Sequence, residues 1–98
     1  MLKKKANDQT IKEAIDLFLE TYKIKDKYLE TSVLAQWEQI MGRTIASRTS
    51  EIYIRNKKLF IRLNSAALKQ ELFHGKEKII ELINEKMGAI VIKEVIFT

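Results

Sequence analysis

The amino-acid sequence predicts an α+β domain, with helices packed on one face of a three-stranded sheet. Three observations indicate this: helical periodicity before Gly42, two alternating apolar segments near the middle of the chain, and a β-branched apolar segment at its end. The predicted order of elements is ααββα(α)β. With 98 residues, no proline and only three glycines, the chain is expected to comprise a flexible basic N-terminus, residues 1–8, and a single domain, residues 9–98.

Two amphipathic helices are predicted before the sheet. Over residues 9–22 the apolar side chains recur at three- and four-residue steps, with Asp8 or Thr10 as the N-cap. The polar segment "KIKDK" interrupts the pattern, which predicts a break, and a second helix then covers residues 27–41. Gly42 follows the last apolar position, where a left-handed residue often ends a helix.

The middle of the chain predicts a β-hairpin. "EIYIR" and "KLFIRL" alternate with period two, and Asn56 and Lys57 between them form the predicted turn, because asparagine tolerates positive φ. Alternation directs one set of side chains toward the helices and the other set away from them. The inward set is Ile52, Ile54, Leu59, Ile61 and Leu63. The outward set is Tyr53, Arg55, Lys58, Phe60 and Arg62.

A helical crossover is predicted between the hairpin and a third strand. Asn64 or Ser65 caps a helical region that reaches about Met87, and Gly75 in "HGKE" marks a kink or a division into two helices. Gly88 closes the region. The final segment, "AIVIKEVIFT", is apolar and β-branched, which predicts a strand that returns to the sheet.

Large aromatic side chains at helical spacing are predicted to lie in the core. Trp37 would also suit an anchor for a partner protein, but it shares an apolar stripe with Val33 and Ile40, which favours burial. The same interpretation is given to Phe18, Phe73 and Phe97.

Composition limits the classes of function. Eighteen Lys and Arg against thirteen Asp and Glu give a net charge of +5, which favours polyanionic partners or, alternatively, only a solvated basic surface. The chain has no cysteine, so disulfides and thiolate metal sites are excluded. "MLKKKANDQT" has no apolar segment behind its basic start, and no apolar segment approaches membrane-spanning length. A cytoplasmic protein without membrane association is therefore expected.

The sequence offers no catalytic constellation. The chain has one histidine, and His74 lies three residues after Glu71, a spacing more typical of a surface pair than of a metal site. No phosphate-binding glycine motif is present. The sequence therefore predicts no enzymatic activity, no metal site and no cofactor.

The outward set of the hairpin is the candidate binding surface. Rings that stack on bases and cations that neutralise phosphates suit single-stranded nucleic acid. Alternatively, the rings stabilise paired strands and the cations keep the sheet soluble. Further cations at the ends of the hairpin favour a continuous basic patch, to which the N-terminal "KKK" could add a phosphate clamp. The predicted nucleic-acid-binding residues are Arg43, Arg48, Tyr53, Arg55, Lys57, Lys58, Phe60 and Arg62.

Several segments resemble the DciA family of bacterial replicative-helicase loaders. They are the helix that holds Trp37 and ends at Gly42, "IASRT", "KLFIRLNSAALKQEL" and "LINEKMGAIVIKEVIF". The resemblance implies a KH-like fold, binding of DNA and of the DnaB-type helicase, and helicase loading without ATP hydrolysis. The chain lacks the GXXG loop of true KH domains, so another surface is expected to bind nucleic acid. It also lacks the extended tail of many members and looks like the short Bacteroidetes-type form.

Together these observations predict a non-enzymatic, nucleic-acid-binding accessory of DNA replication. Its expected partners are single-stranded or duplex DNA and the DnaB-type helicase. Two alternatives stay open: a protein-interaction adaptor whose basic face meets an acidic protein surface, and an RNA-binding KH-like protein. Competition by single-stranded DNA would separate the nucleic-acid binder from the adaptor.

Overall fold

The computed structural model describes residues 10–98, so the predictions for residues 1–8, including Asp8 as a cap and the "KKK" segment, lie outside it. Five helices and three strands occur within these residues. They are α1 (Ile11–Ala35), α2 (Trp37–Met41), α3 (Arg43–Ser47), β1 (Thr49–Arg55), β2 (Lys58–Leu63), α4 (Ala66–Phe73), α5 (Lys76–Met87) and β3 (Glu94–Phe97).

The sheet confirms the predicted α+β architecture. Its strand order is β1-β2-β3, with β1 antiparallel and β3 parallel to the central strand. A parallel pair needs a crossover connection, which α4 and α5 supply. The topology is therefore that of a small KH-like domain, with a hairpin followed by a helical return to the far edge.

Local sequence signals determine the turns as predicted. Asn56 and Lys57 both have positive φ, 52° and 61°, so the hairpin turn forms without glycine. Ser65 caps α4, since its Oγ accepts a hydrogen bond from the Leu68 N–H at 3.2 Å. The helical region is divided at Gly75, and Gly88 ends it at φ 69° in the left-handed region.

Helix α1 corrects the predicted break at "KIKDK", because a single helix runs from Ile11 to Ala35. Lysine, isoleucine and aspartate are all compatible with a helix, and the segment contains no glycine or proline to end it. The loss of apolar periodicity there marks a change in burial and not the end of the helix. Thr10 is confirmed as the N-cap: its Oγ1 accepts from the Glu13 N–H at 3.1 Å, and Glu13 Oε1 accepts from the Thr10 N–H at 2.8 Å.

Two boundaries differ from the prediction. Gly42 ends α2 with φ 92° and ψ 161°, which is positive φ but not the left-handed helical region, and α3 begins directly after it. The predicted connection is therefore partly helical. Strand β3 is shorter than "AIVIKEVIFT", because Val91 and Ile92 are buried in an extended loop before Glu94 and are not paired in the sheet.

The core lies between one face of the sheet and the helices. Its buried side chains come from α1, α2, α5, the loop after α5, the central strand β2 and the edge strand β3: Val33, Trp37, Leu59, Ile61, Ile79, Ile83, Val91, Ile92 and Val95. Trp37 is 6% exposed, which confirms the core interpretation. The same interpretation is wrong for Phe18 and Phe73, which are 58% and 49% exposed, and Phe97 is half-buried.

The N-terminal part of α1 projects beyond this core, which explains why Phe18 is exposed. Every residue from Thr10 to Tyr28 is exposed, and Leu29 is the first side chain of the helix to pack on the core. The radius of gyration is 18.5 Å, whereas a compact chain of this length has about 13 Å. The predicted packing of helices on the sheet therefore holds for the C-terminal third of α1 but not for its beginning.

Candidate nucleic-acid interface

Within residues 10–98, helices cover one face of the sheet, the closed face, and leave the other, the open face, uncovered. The outward set of the hairpin lies on the open face. Ile52, Ile54 and Leu63 pack against the core on the closed face. Tyr53, Phe60 and Ile96 lie next to one another on adjacent strands and are not part of the core. Since side chains alternate along a strand, this row faces away from the helices. We call it the aromatic row.

Two rings of the aromatic row stack on each other. The Tyr53 and Phe60 centroids are 4.7 Å apart, with 10° between the ring planes. Both residues are half-buried, so each ring offers only part of its surface to a ligand. The Arg55 guanidinium carbon lies 5.8 Å from the Tyr53 centroid. The arrangement is a layer of cation, phenol ring and phenyl ring across the open face.

Cations flank the aromatic row on both of its sides, along the direction of the strands. Arg55 pairs in register with Lys58 at the hairpin tip, and Arg62 lies at the other end; all three are exposed. Carboxylates lower the net charge of the face. Glu51 Oε1 is 3.7 Å from the Arg62 Nε, and Glu94 is the in-register neighbour of Lys58 on β3.

The other three predicted residues lie outside the aromatic row. Arg43 is exposed at the start of α3, with its Nε 3.7 Å from Glu38 Oε2. Arg48 is exposed just before β1, at the Arg62 end of the hairpin. Lys57 is half-buried and its Nζ donates to the Ile90 carbonyl at 3.0 Å, so this ammonium ties the turn to the loop before β3.

Sequence reasoning missed Ile96, Glu51 and Glu94 on this face. Glu51 belonged to a recognised strand, so alternation alone would have assigned it to the outward set with Tyr53. Ile96 and Glu94 could not be assigned to the face without the register between β2 and β3, because that register depends on a long crossover.

A hydrogen-bond relay connects the first strand of the hairpin to the helices on the closed face. Trp37 Nε1–H donates to Thr49 Oγ1 at 3.0 Å, and the Thr49 hydroxyl donates to the Ile45 carbonyl at 2.7 Å. The relay joins α2, α3 and the first residue of β1. It holds the covered side of the sheet in place while the opposite side stays open.

Asn84 positions the edge strand. Its Oδ1 accepts from the Val91 and Ile92 N–H groups at 2.8 and 3.1 Å, and its Nδ2 donates to the Ile92 carbonyl at 2.8 Å. One side chain on α5 therefore satisfies three backbone groups of the loop that leads into β3. Such a polar clamp has no periodic signal in the sequence.

A second contact between cations and rings lies away from the open face. Phe73, Phe97 and Lys69 line a shallow cleft of about 220 Å³ between α4 and the end of β3. The Nζ of Lys76 is 4.3 Å from the Phe73 centroid and 5.9 Å from the Phe97 centroid. The cleft explains the exposure of Phe73, since α4 leaves that ring at its rim.

No metal-binding cluster or transmembrane helix occurs among the described residues. Within residues 10–98 no group of three or more His, Cys, Asp or Glu side chains is placed to hold a metal ion. Glu71 and His74 are both exposed on and just after α4. None of the helices in this range has the length and apolar character needed to cross a bilayer.

The hairpin, the helical crossover and the single covered face define a small α+β domain of the KH-like class, with an aromatic and cationic sheet face left open. A family model described as "Dna[CI] antecedent, DciA" matches residues 10–97, and the chain belongs to the DciA family. This family is associated with loading of the replicative helicase.

A curated relative agrees with this assignment. The chain is 37% identical over 62 residues to a UPF0232 protein of Corynebacterium glutamicum (strain R). The alignment covers 63% of this chain but 35% of the relative, so the chain spans only about a third of the length of that protein.

Proposed function

We propose that the open face of the sheet binds single-stranded nucleic acid and that the chain acts as a cytoplasmic, non-enzymatic accessory of DNA replication. In this role it assists the loading of a DnaB-type replicative helicase. Membership of the DciA family supports the replication role. The observation that carries the nucleic-acid part is the aromatic row with cations on both of its sides.

The geometry suggests how the face would hold a strand. One surface of the Tyr53 ring is covered by Phe60, and Arg55 lies near the ring. A base would stack at the exposed side of this layer, on the phenol ring or on the guanidinium plane. In this arrangement Phe60 positions Tyr53 instead of taking the base itself. Stacking of this kind contributes about 1–3 kcal/mol per base.

The cations would hold the phosphates on either side of that base. Arg55 and Lys58 lie on one side of the aromatic row and Arg62 on the other, so a nucleic-acid strand crossing the row meets positive charge before and after it. Arg48 extends the charge beyond Arg62. The ion pair of Arg62 with Glu51 is exposed and is worth at most about 1 kcal/mol, so a phosphate can replace the carboxylate at little cost.

The first test is a fluorescence titration of a labelled single-stranded oligonucleotide at several salt concentrations. Arg55→Glu/Arg62→Glu should weaken binding and reduce the slope of log K against log salt concentration by about 0.7 for each lost phosphate contact. Tyr53→Ala should weaken binding with the slope unchanged, because a stacked ring releases no counterions.

A matched control separates a local contact from a general effect of net charge. Lys78→Glu/Lys86→Glu makes the same charge change on α5, which packs against the closed face, and Lys78 is ion-paired at 3.7 Å with Glu81 much as Arg62 is with Glu51. The control should retain most of the affinity. Equal losses in both double variants would refute the open face as the binding site.

The helicase part needs its own assay. A DnaB-type helicase from the same organism would be loaded on a single-stranded DNA circle with and without the chain. The proposal predicts more loaded helicase in the presence of the chain without ATP hydrolysis by it. Normal DNA binding with no stimulation would limit the chain to nucleic-acid binding, and binding to the helicase that single-stranded DNA does not alter would favour the protein-adaptor function.

A further inference from the structure

The projecting part of α1 carries an apolar stripe on which none of residues 10–98 packs. Five of its side chains recur at three- and four-residue steps along one side of the helix, and each is at least half exposed: Ile11, Ile15, Phe18, Leu19 and Tyr22. We call these five residues the α1 stripe. The same helical side continues into Leu29 and Val33, which pack in the core. Within residues 10–98, this side of α1 is therefore covered by the domain at its C-terminal end and exposed at its N-terminal end.

An uncovered helix of this kind is poorly stable alone. Residues 11–28 form about 27 Å of helix, and an isolated helix of this length is marginal in water. The ion pairs of Lys12 with Asp16 at 3.5 Å, spaced i, i+4, and of Glu20 with Lys23 at 4.0 Å, spaced i, i+3, are exposed and add little, because solvent screens them. An apolar partner against the α1 stripe would provide the missing stabilisation.

Charged side chains form a row along one edge of the α1 stripe. They are Lys12, Asp16, Lys23 and Asp26, spaced four, seven and three residues apart, so they lie on one side of the helix with alternating sign. The reversed row is complementary to the row itself, because an antiparallel pair brings Lys12 beside Asp26 and Asp16 beside Lys23. A parallel pair in register would bring like charges together.

We propose that the α1 stripe is a homodimer interface, in which α1 of one copy pairs antiparallel with α1 of a second copy. In the register that aligns the opposite charges, Phe18 faces Tyr22 of the other copy on both sides of the two-fold axis. Lys12 then lies beside Asp26 of the other copy at each end. The alternating charges select this register, because a shift by one turn of helix brings Asp16 beside Asp26 or Lys12 beside Lys23.

The size of the stripe predicts a weak, reversible dimer. Phe18 and Tyr22 are 58% and 51% exposed, and Ile11 is 80% exposed. Two copies of the α1 stripe would bury on the order of 1,000 Å² in total, near the lower limit for specific interfaces. The expected dissociation constant is therefore micromolar. The dimer would carry two open sheet faces, although the proposal stands independently of what those faces bind.

The experiment is sedimentation equilibrium of the wild type and of two neighbouring variants, at loading concentrations from about 1 μM to about 300 μM. Phe18→Glu puts a charge into the proposed interface and should raise the dissociation constant at least about 100-fold. Leu17→Glu is the matched control. Leu17 is 62% exposed, close to the 58% of Phe18, but it points away from the α1 stripe, and its replacement should change the constant by less than about threefold.

A charge swap tests the orientation. Lys12→Glu should weaken the dimer about fivefold, and Lys12→Glu/Asp26→Lys should restore the wild-type constant because both pairs are then re-formed with reversed sign. Unchanged melting temperatures at low concentration would show that the domain remains folded in every variant. A wild type that stays monomeric throughout, equal effects of Phe18→Glu and Leu17→Glu, or no recovery in the double charge variant would each overturn the proposal.

Discussion

The two faces of the sheet are built from the same strands but differ in what covers them. Leu59, Ile61 and Val95 on the closed face are at most 1% exposed, because helices pack on them. Phe60 lies between Leu59 and Ile61 in sequence, yet it is only half-buried and its main ring contact is Tyr53. Alternation decides which residues share a face, whereas burial depends on the elements that later pack there.

The comparison also separates stability from binding. Side chains of the closed face are expected to determine the free energy of unfolding, and the cations of the open face are expected to determine affinity for a ligand. The loss of stability should therefore be largest for substitutions on the closed face and smallest for substitutions of the open-face cations.

Trp37→Ala should cause the largest loss. Trp37 is 6% exposed in the core and its indole N–H is bonded to Thr49, so truncation leaves a large cavity and costs about 3–5 kcal/mol. A domain of this size has little stability to spare, and the variant is expected to be largely unfolded. Chemical denaturation followed by circular dichroism measures the change. A folded variant with a near wild-type midpoint would contradict the assignment of Trp37 to the core.

Leu59→Ala and Phe60→Ala compare the two faces directly, since the residues are neighbours on β2. Leu59 is fully buried, so its truncation should cost about 2–5 kcal/mol. Truncation of Phe60 removes mainly its stacking contact with Tyr53. Such a ring pair contributes about 0.5–1.5 kcal/mol to stability in addition to the apolar area that it buries. Urea midpoints of the two variants give the order. If Phe60→Ala lowered the urea midpoint more than Leu59→Ala, the open face would be a second core surface.

Asn84→Ala should cause an intermediate loss. Its amide satisfies three backbone groups before β3, and leaving such partly buried groups unpaired costs about 1–3 kcal/mol. Hydrogen exchange should show faster exchange at the Val91 and Ile92 amides, with the β1–β2 pairing unaffected. Asn84→Asp is a useful companion, because it keeps the acceptor for the two amides and replaces the donor with a charged oxygen that faces the Ile92 carbonyl.

Arg62→Gln should have the smallest effect on stability. Both side chains of its ion pair with Glu51 are exposed, and such pairs contribute about 0–1 kcal/mol to stability. The melting temperature should therefore stay close to that of the wild type, while affinity for single-stranded nucleic acid falls. A clear loss of stability would show that Arg62 supports the fold and does not serve the open face alone.

The hairpin was the most predictable part of the molecule. Period-two alternation assigned Tyr53, Arg55 and Phe60 to one face, and the Asn56–Lys57 turn set the register with the neighbouring strand. These are local signals, because the two strands are joined by only two residues. The third strand is reached through two helices, so its register with β2, and with it the positions of Ile96 and Glu94, could not be predicted.

Helix α1 shows what the periodicity of the sequence cannot predict. Its apolar periodicity correctly predicted a helix around Phe18 and Tyr22, but periodicity does not reveal what covers a stripe. Phe18 was assigned to the core, although the domain covers this side of α1 only from Leu29 onward. The polar clamp of Asn84 was also beyond prediction, since a single amide that bonds a distant loop leaves no repeating pattern in the sequence.

The most direct test of the central claim is a methyl NMR titration of the protein, labelled at isoleucine methyl groups, with a single-stranded oligonucleotide of about ten nucleotides. Ile96 lies on the open face, Ile61 is buried on the closed face, and Ile15 lies on the projecting part of α1. If the open face binds, the Ile96 methyl should shift most, because bases stacked near the aromatic row add ring currents, while Ile61 and Ile15 shift little. Largest shifts at Ile15, or no shifts at low salt, would contradict the claim that the open sheet face is a nucleic-acid interface.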